Sequence, residues 1–109
     1  MKTLSKYARL FDNTNVNWNA NVLDSRRFLK CVERYANDLL KRRGTIFLND
    51  IYEMLGFERT QTGQVVGWHY SKENPIGDNM VKFDLHGGKK GSIEIDFNVD
   101  GSVINYLKD

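Results

Sequence analysis

Three acidic residues near the C-terminus, Asp84, Glu94 and Asp96, come closest to a functional constellation. They lie on two segments that alternate apolar and polar side chains. Residues 80–85 place Val81, Phe83 and Leu85 on one face, and residues 92–99 place Ile93, Ile95, Phe97 and Val99 on one face. Period-two alternation is the pattern of a strand with one buried side. Matching the apolar faces sets Leu85 opposite Ile93 and Phe83 opposite Ile95. The outward neighbours are then Asp84 with Glu94 and Lys82 with Asp96. Carboxylates directly across a ladder repel. Such a pair suits a cation or a basic partner surface, and in the plainest reading it is solvated and relieved by Lys82. No nucleophile accompanies it, so it does not read as a general acid–base dyad.

A second constellation is basic. Arg26, Lys30, Arg34 and Lys41 share the polar face of a long amphipathic segment, a spacing that can track phosphates. Glu33 and Asp38 are mixed into it, as on an ordinary solvated helix face. The remaining chemistry-bearing residues point away from catalysis. His69 and His86 have no cysteine or second histidine at metal-ligand spacing, so no metal and no cofactor is expected. Cys31 flanks an apolar helical stripe and reads as a core residue. No serine sits in a nucleophile elbow. The HGGKKG and PIGDN runs match no phosphate-cradling loop and read as surface turns.

The elements that position these residues follow from pattern. Leu4, Tyr7, Ala8 and Phe11 recur at helical spacing, predicting a short helix over 3–11. Residues 13–22 alternate Asn with Thr, Val, Trp and Ala, the pattern of an edge strand or extended arm. Phe28, Val32, Tyr35, Ala36, Leu39 and Leu40 predict a helix over 25–43, capped by Asp24 and ended by Gly44. A short strand at 45–48 precedes a helix over 50–55 capped by Asn49. Gly56 ends that helix, with Phe57 folding back on Tyr52. Strands are expected at 65–70, 80–85, 92–99 and 102–107. Asp100-Gly101 is a hairpin signal, which would set Phe97 opposite Ile104 and Ile95 opposite Tyr106. A turn is expected at 86–91.

Composition agrees with a folded chain. At 109 residues, with six Phe, five Tyr, two Trp and a net charge of +2, a single domain can bury a core. A lone cysteine excludes an internal disulfide and fits a reducing compartment. No apolar run is long enough for a signal peptide or a membrane span, so a cytoplasmic protein with no membrane partner is expected. Residues 1–55 carry ten Lys/Arg and six Asp/Glu, net +4, and the rest is net −2. That asymmetry suits charged partners.

Four blocks carry a resemblance: FLNDIYEMLGF, GQVVGWHY, NPIGDN and SIEIDFNVDGSVINYL. In this order they resemble the soluble C-terminal region of an uncharacterised family. That family is encoded by phages, prophages and mobile elements of Gram-positive and gut bacteria. The resemblance covers roughly residues 38–107. Many members carry an N-terminal hydrophobic segment, and residues 1–23 depart from that pattern. The resemblance implies a mobile-element origin and no activity that transfers residue by residue.

The expected fold is α+β: a four-stranded antiparallel sheet, or a five-stranded one if the N-terminal arm joins it, with the 25–43 helix on one face. Trp68, Phe83, Phe97 and Tyr106 should meet Phe28, Val32, Tyr35 and Leu39. The single domain divides into an N-terminal helix and arm (1–23), a helical part (24–56) and the sheet (65–107). The expected function is non-enzymatic: a phage-derived accessory protein that binds and inhibits a host protein through Asp84, Glu94 and Asp96. Its most concrete form is an anti-CRISPR-type inhibitor of an effector nuclease. The alternative is a nucleic-acid-binding accessory or regulatory protein using Arg26, Lys30, Arg34 and Lys41.

Overall fold

A computed structural model describes residues 4–87 and 91–106. Thr3, the centre of the 86–91 turn and Leu107 lie outside them. The dominant element is α1, Val22–Arg43. It begins earlier than Asp24, because the Asn21 side chain accepts the Leu23 amide at 3.0 Å and supplies the N-cap. It ends at Gly44, whose amide reaches the Leu40 carbonyl. Ser25, Leu29, Ala36, Leu39 and Leu40 face the core. Phe28 and Val32 are half-buried against it, whereas Tyr35 and Cys31 face outward. The expected core roles of Tyr35 and Cys31 are therefore corrected. The helix is rotated so that its Glu33–Asn37 flank meets a strand edge.

The strands form two three-stranded antiparallel sheets rather than one larger sheet. The first has the order β1 (Arg9–Asp12), β5 (Ser92–Phe97), β4 (Phe83–Gly87). The second has the order β2 (Thr45–Phe47), β3 (Val66–His69), β6 (Gly101–Ser102). Asp100-Gly101 does not close a hairpin. The Asp100 amide donates to the Gly67 carbonyl and the Val103 amide to the Val65 carbonyl, so β6 pairs with β3 instead of turning back on β5. This buries Val103 completely and leaves Ile104 and Tyr106 on an exposed 3-10 turn, Ile104–Tyr106. Gly67 permits the close approach of β2: a Cβ there would run into the Ile46 carbonyl and the Phe47 backbone.

The N-terminal segment also differs from its pattern. Residues 4–8 make no helix, and Arg9–Asp12 forms β1 on the β5 edge. A short isolated helix gains little in water, whereas this strand completes a ladder and buries Phe11. The asparagine alternation that follows is not a strand. Asp12 accepts the Thr14 amide, Asn15 that of Asn17, Asn19 that of Asn21, and Asn21 that of Leu23. A side chain that bonds the amide two residues on makes successive Asx turns, and their spacing copies the period of a strand.

The second helix, α2 (Leu48–Leu55), ends as expected. Gly56 has φ +90, its amide reaches Glu53, and the Phe57 amide reaches the Tyr52 carbonyl with the two rings 6.2 Å apart. Asn15 and Asn17 both donate to the Leu55 carbonyl, satisfying an orphan helix-end acceptor. Asn49 is not the cap. It is buried and makes paired hydrogen bonds to the Thr60 backbone. The cap-region amide of Phe47 is accepted by Asp50.

The first sheet turns Phe11, Ile93, Ile95, Phe97 and Phe83 toward α1, with Phe11 stacked on Phe28 at 6.0 Å. Phe97 is 4% exposed and makes edge contacts with Phe83 and Tyr52. Phe97→Ala is therefore expected to cost about 3–5 kcal/mol of stability, read by urea denaturation. A loss below about 1 kcal/mol would mean that the surrounding rings close over the cavity.

Candidate functional site

The outer side of the first sheet gathers the predicted acidic residues. Alternation along β4 and β5 sends Asp84, Glu94 and Asp96 to the face away from α1. The register differs from the expected one by two residues: Phe83 faces Phe97, Asp84 faces Asp96, Leu85 faces Ile95 and His86 faces Glu94. The expected Asp84–Glu94 pair is thus replaced by Asp84–Asp96, and Lys82 lies opposite Asn98. A slip of two preserves the face of every side chain, so apolar matching does not detect it. The Phe83–Phe97 edge contact, with centroids 5.4 Å apart, belongs to the observed register.

The like-charged pair is relieved by its neighbours. Asp84 lies 3.1 Å from His86 Nε2. Asp96 accepts the Ser5 amide at 2.9 Å, the Ser5 hydroxyl, and the Phe97 amide at 2.8 Å. Burial pushes the Asp96 carboxyl up, but the Ser5 and Phe97 donors outweigh it and hold it below its ordinary value. Glu94 is exposed between His86 on β4 and Leu10 on β1. Lys82, Asp84, Asp96, Phe97 and Asn98 line a shallow hollow of about 280 Å³ beside the pair.

Pairing of β1 with β5 adds residues that the helical reading of 3–11 concealed. Leu10 pairs with Glu94 and is 51% exposed, and Asp12 follows opposite Ser92. The Thr14 hydroxyl and amide bond Asp12 and lower its carboxyl. The face therefore presents four carboxylates across three strands, with Leu10 on the edge strand beside Glu94 and Asp12.

The basic constellation is divided. Arg26 Nη2 donates to the Gly87 carbonyl at 2.9 Å, and Lys30 lies 3.7 Å from Glu33. Glu33 accepts the Phe83 amide, and Asn37 bonds both the amide and the carbonyl of Val81. This flank of α1 satisfies the outer edge of β4 and its lead-in, polar groups an edge strand otherwise leaves open. Arg34 and Lys41 stay exposed. Elsewhere, His69 is half-buried and stacks on Tyr106 at 4.1 Å. Among the described residues no group of three or more His, Cys, Asp or Glu is arranged to hold a metal, and no helix is long and apolar enough to cross a membrane.

The chain belongs to a family of unknown function, DUF6353, whose model matches residues 1–107. The match takes in the N-terminal segment as well as the blocks from 38 onward, so residues 1–23 are part of the family pattern. No curated protein and no solved structure matches the chain.

Two carboxyls give opposite pH dependences. Asp96 is lowered from 3.8, so the stability it contributes is complete above 3.8 and is lost as pH falls through its lower folded value. Asp100 is raised from 3.8 by burial first, partly offset by the His69 amide and reinforced by Asp78. Its contribution is complete below 3.8 and declines as pH rises through its raised value. Urea midpoints measured from neutral pH to below 3.8 should show a smaller acid loss in Asp96→Asn and a flatter decline above 3.8 in Asp100→Asn. A wild-type acid limb in Asp96→Asn would contradict the Ser5 clamp.

Proposed function

We propose that the protein is a non-enzymatic, phage-derived inhibitor that docks the outer face of its first sheet on a basic surface of a host protein in the bacterial cytoplasm. Its most concrete target is the nucleic-acid groove of a CRISPR effector nuclease. The observation that carries the reading is Asp84, Glu94 and Asp96 on one sheet face, with half-exposed Leu10 on the edge strand beside Glu94. A cluster of like charges flanked by an exposed apolar side chain is suited to a partner of the opposite sign. The mobile-element origin rests on the sequence blocks. A pI near 8.7 speaks against mimicry of nucleic acid by the whole surface, so on this reading the acidic contact is local to this face. Asp84→Lys combined with Glu94→Lys should abolish inhibition of a guide-loaded effector nuclease, while the thermal midpoint stays level or rises because repulsion at Asp96 is relieved. Undiminished inhibition by the folded double variant would move the binding surface elsewhere.

A second reading is nucleic-acid binding through α1. Exposed Arg34 and Lys41, joined by Arg27 and Arg42 on the solvent side, favour it. Arg26 is held by the Gly87 carbonyl and Lys30 by Glu33, and Arg27 and Arg42 are engaged by Asp24 and the Asp38 carbonyl, which leaves Arg34 and Lys41 to carry most of this reading. Under this reading affinity for DNA or RNA falls steeply with salt, and replacing Arg26, Lys30 and Arg34 by Gln flattens that slope. No binding at low salt would exclude it.

A further inference from the structure

The C-terminal end of α1 and the second sheet enclose a cleft of about 550 Å³ that shares no residue with the acidic face. Its walls include Arg43, Thr45, His69, Tyr70, Ser71 and Tyr106. The volume falls within the range of small-molecule sites, about 300–1,000 Å³. The cleft is built by the fold. Pairing of β2 with β3 sets Thr45 opposite His69, and the Thr45 hydroxyl lies 3.2 Å from His69 Nδ1, which orients the ring. The Tyr70 amide donates to the Gly44 carbonyl at 2.8 Å and fixes the strand exit against the helix end. Tyr106 lies nearly parallel to His69, 22° between planes, yet remains 40% exposed.

The chemistry left open in this cleft is specific. Among the described residues the Arg43 guanidinium and the hydroxyls of Tyr70 and Tyr106 have no hydrogen-bond or ion-pair partner. Lys41 and Arg42, both exposed, add positive charge at the same helix end. An oriented aromatic platform beside an unpartnered guanidinium suits a ligand with both a flat π system and an anionic group. A sugar alone would leave the guanidinium unused, and an inorganic anion would leave the ring unused. We propose that the cleft binds a nucleotide unit, its base stacked on Tyr106 and its phosphate on Arg43, supplied as a free nucleotide or as one residue of a single strand.

The test uses two probes on the full chain at low salt: fluorescence polarisation of labelled oligouridylate, and calorimetric titration of uridine monophosphate. At least one should bind saturably. Tyr106→Ala should weaken it about tenfold or more, and Tyr106→Phe should retain it, because stacking uses the ring and not the hydroxyl. Arg43→Gln should weaken binding and flatten its salt dependence. Binding of the oligonucleotide without the mononucleotide assigns a single strand, and comparable binding of both assigns the free nucleotide. Failure of both probes on the wild type overturns the proposal. So does binding that Arg43→Gln, a change at an exposed helix end, leaves untouched along with Tyr106→Ala. Neither variant alters the acidic face, so loss of nucleotide binding and loss of inhibition are read independently.

Discussion

The indole of Trp68 is fully buried, and its N–H must find an acceptor there. Asn98 supplies it at 3.0 Å, and the same Oδ1 accepts the Lys82 amide at 2.7 Å. Its Nδ2 donates to the Met80 carbonyl and to Asp78. One side-chain amide thus joins β3 of the second sheet to the end of β5 and the lead-in to β4 in the first. Because β5 stops at this junction, the chain passes to β6 beside β3, and two sheets form in place of one. The acidic face belongs to the first sheet and the aromatic cleft to the second, and this amide is the junction that holds the two sheets together.

Polar side chains with structural duties account for much of what a sequence presents as surface. Arg26, Glu33 and Asn37 serve the edge of β4 and its lead-in. Asn15 and Asn17 serve the end of α2, and Gly56 leaves the space they occupy: a Cβ there would lie 2.9 Å from Asn15 Oδ1. Unsatisfied backbone groups at edges and helix ends are costly when water is excluded, so these residues are committed to the fold. Setting them aside narrows the groups available to a partner. Glu94 and Leu10 remain at the first sheet, Arg43 and the two tyrosines at the second, and Arg34 and Lys41 along α1.

The two surfaces differ in the kind of recognition they support. On the reading proposed above, the outer sheet face docks a protein and its carboxylates steer association. The cleft is concave and aromatic with a cation at its rim, the form of a small-ligand or single-strand site. Asp96 links the first surface to chain order, since its clamp holds Ser5 and with it the segment leading into β1. A partner on this face would meet carboxylates already oriented by protein donors.

Local signals alone determined several features. The Gly56 helix end with its Tyr52–Phe57 contact, the close of α1 at Gly44, and the inward faces of β3, β4 and β5 depend on residues a few positions apart. They could be read because backbone preference and side-chain alternation act over that range. The acidic character of one sheet face was legible for the same reason, since alternation assigns each carboxylate its side. Partners far apart in sequence were decided by tertiary structure. The Asp84–Asp96 register needed the Phe83–Phe97 contact, because a two-residue slip leaves alternation unchanged. The Asn-rich segment showed strand periodicity because Asx turns also repeat at short intervals. Asp100-Gly101 carried a hairpin signal, and pairing with Gly67 and Val65 overrode it by burying Val103. The cleft was invisible in the sequence: Arg43, His69 and Tyr106 lie on three separate elements, and only the pairing of β2, β3 and β6 brings them to one place.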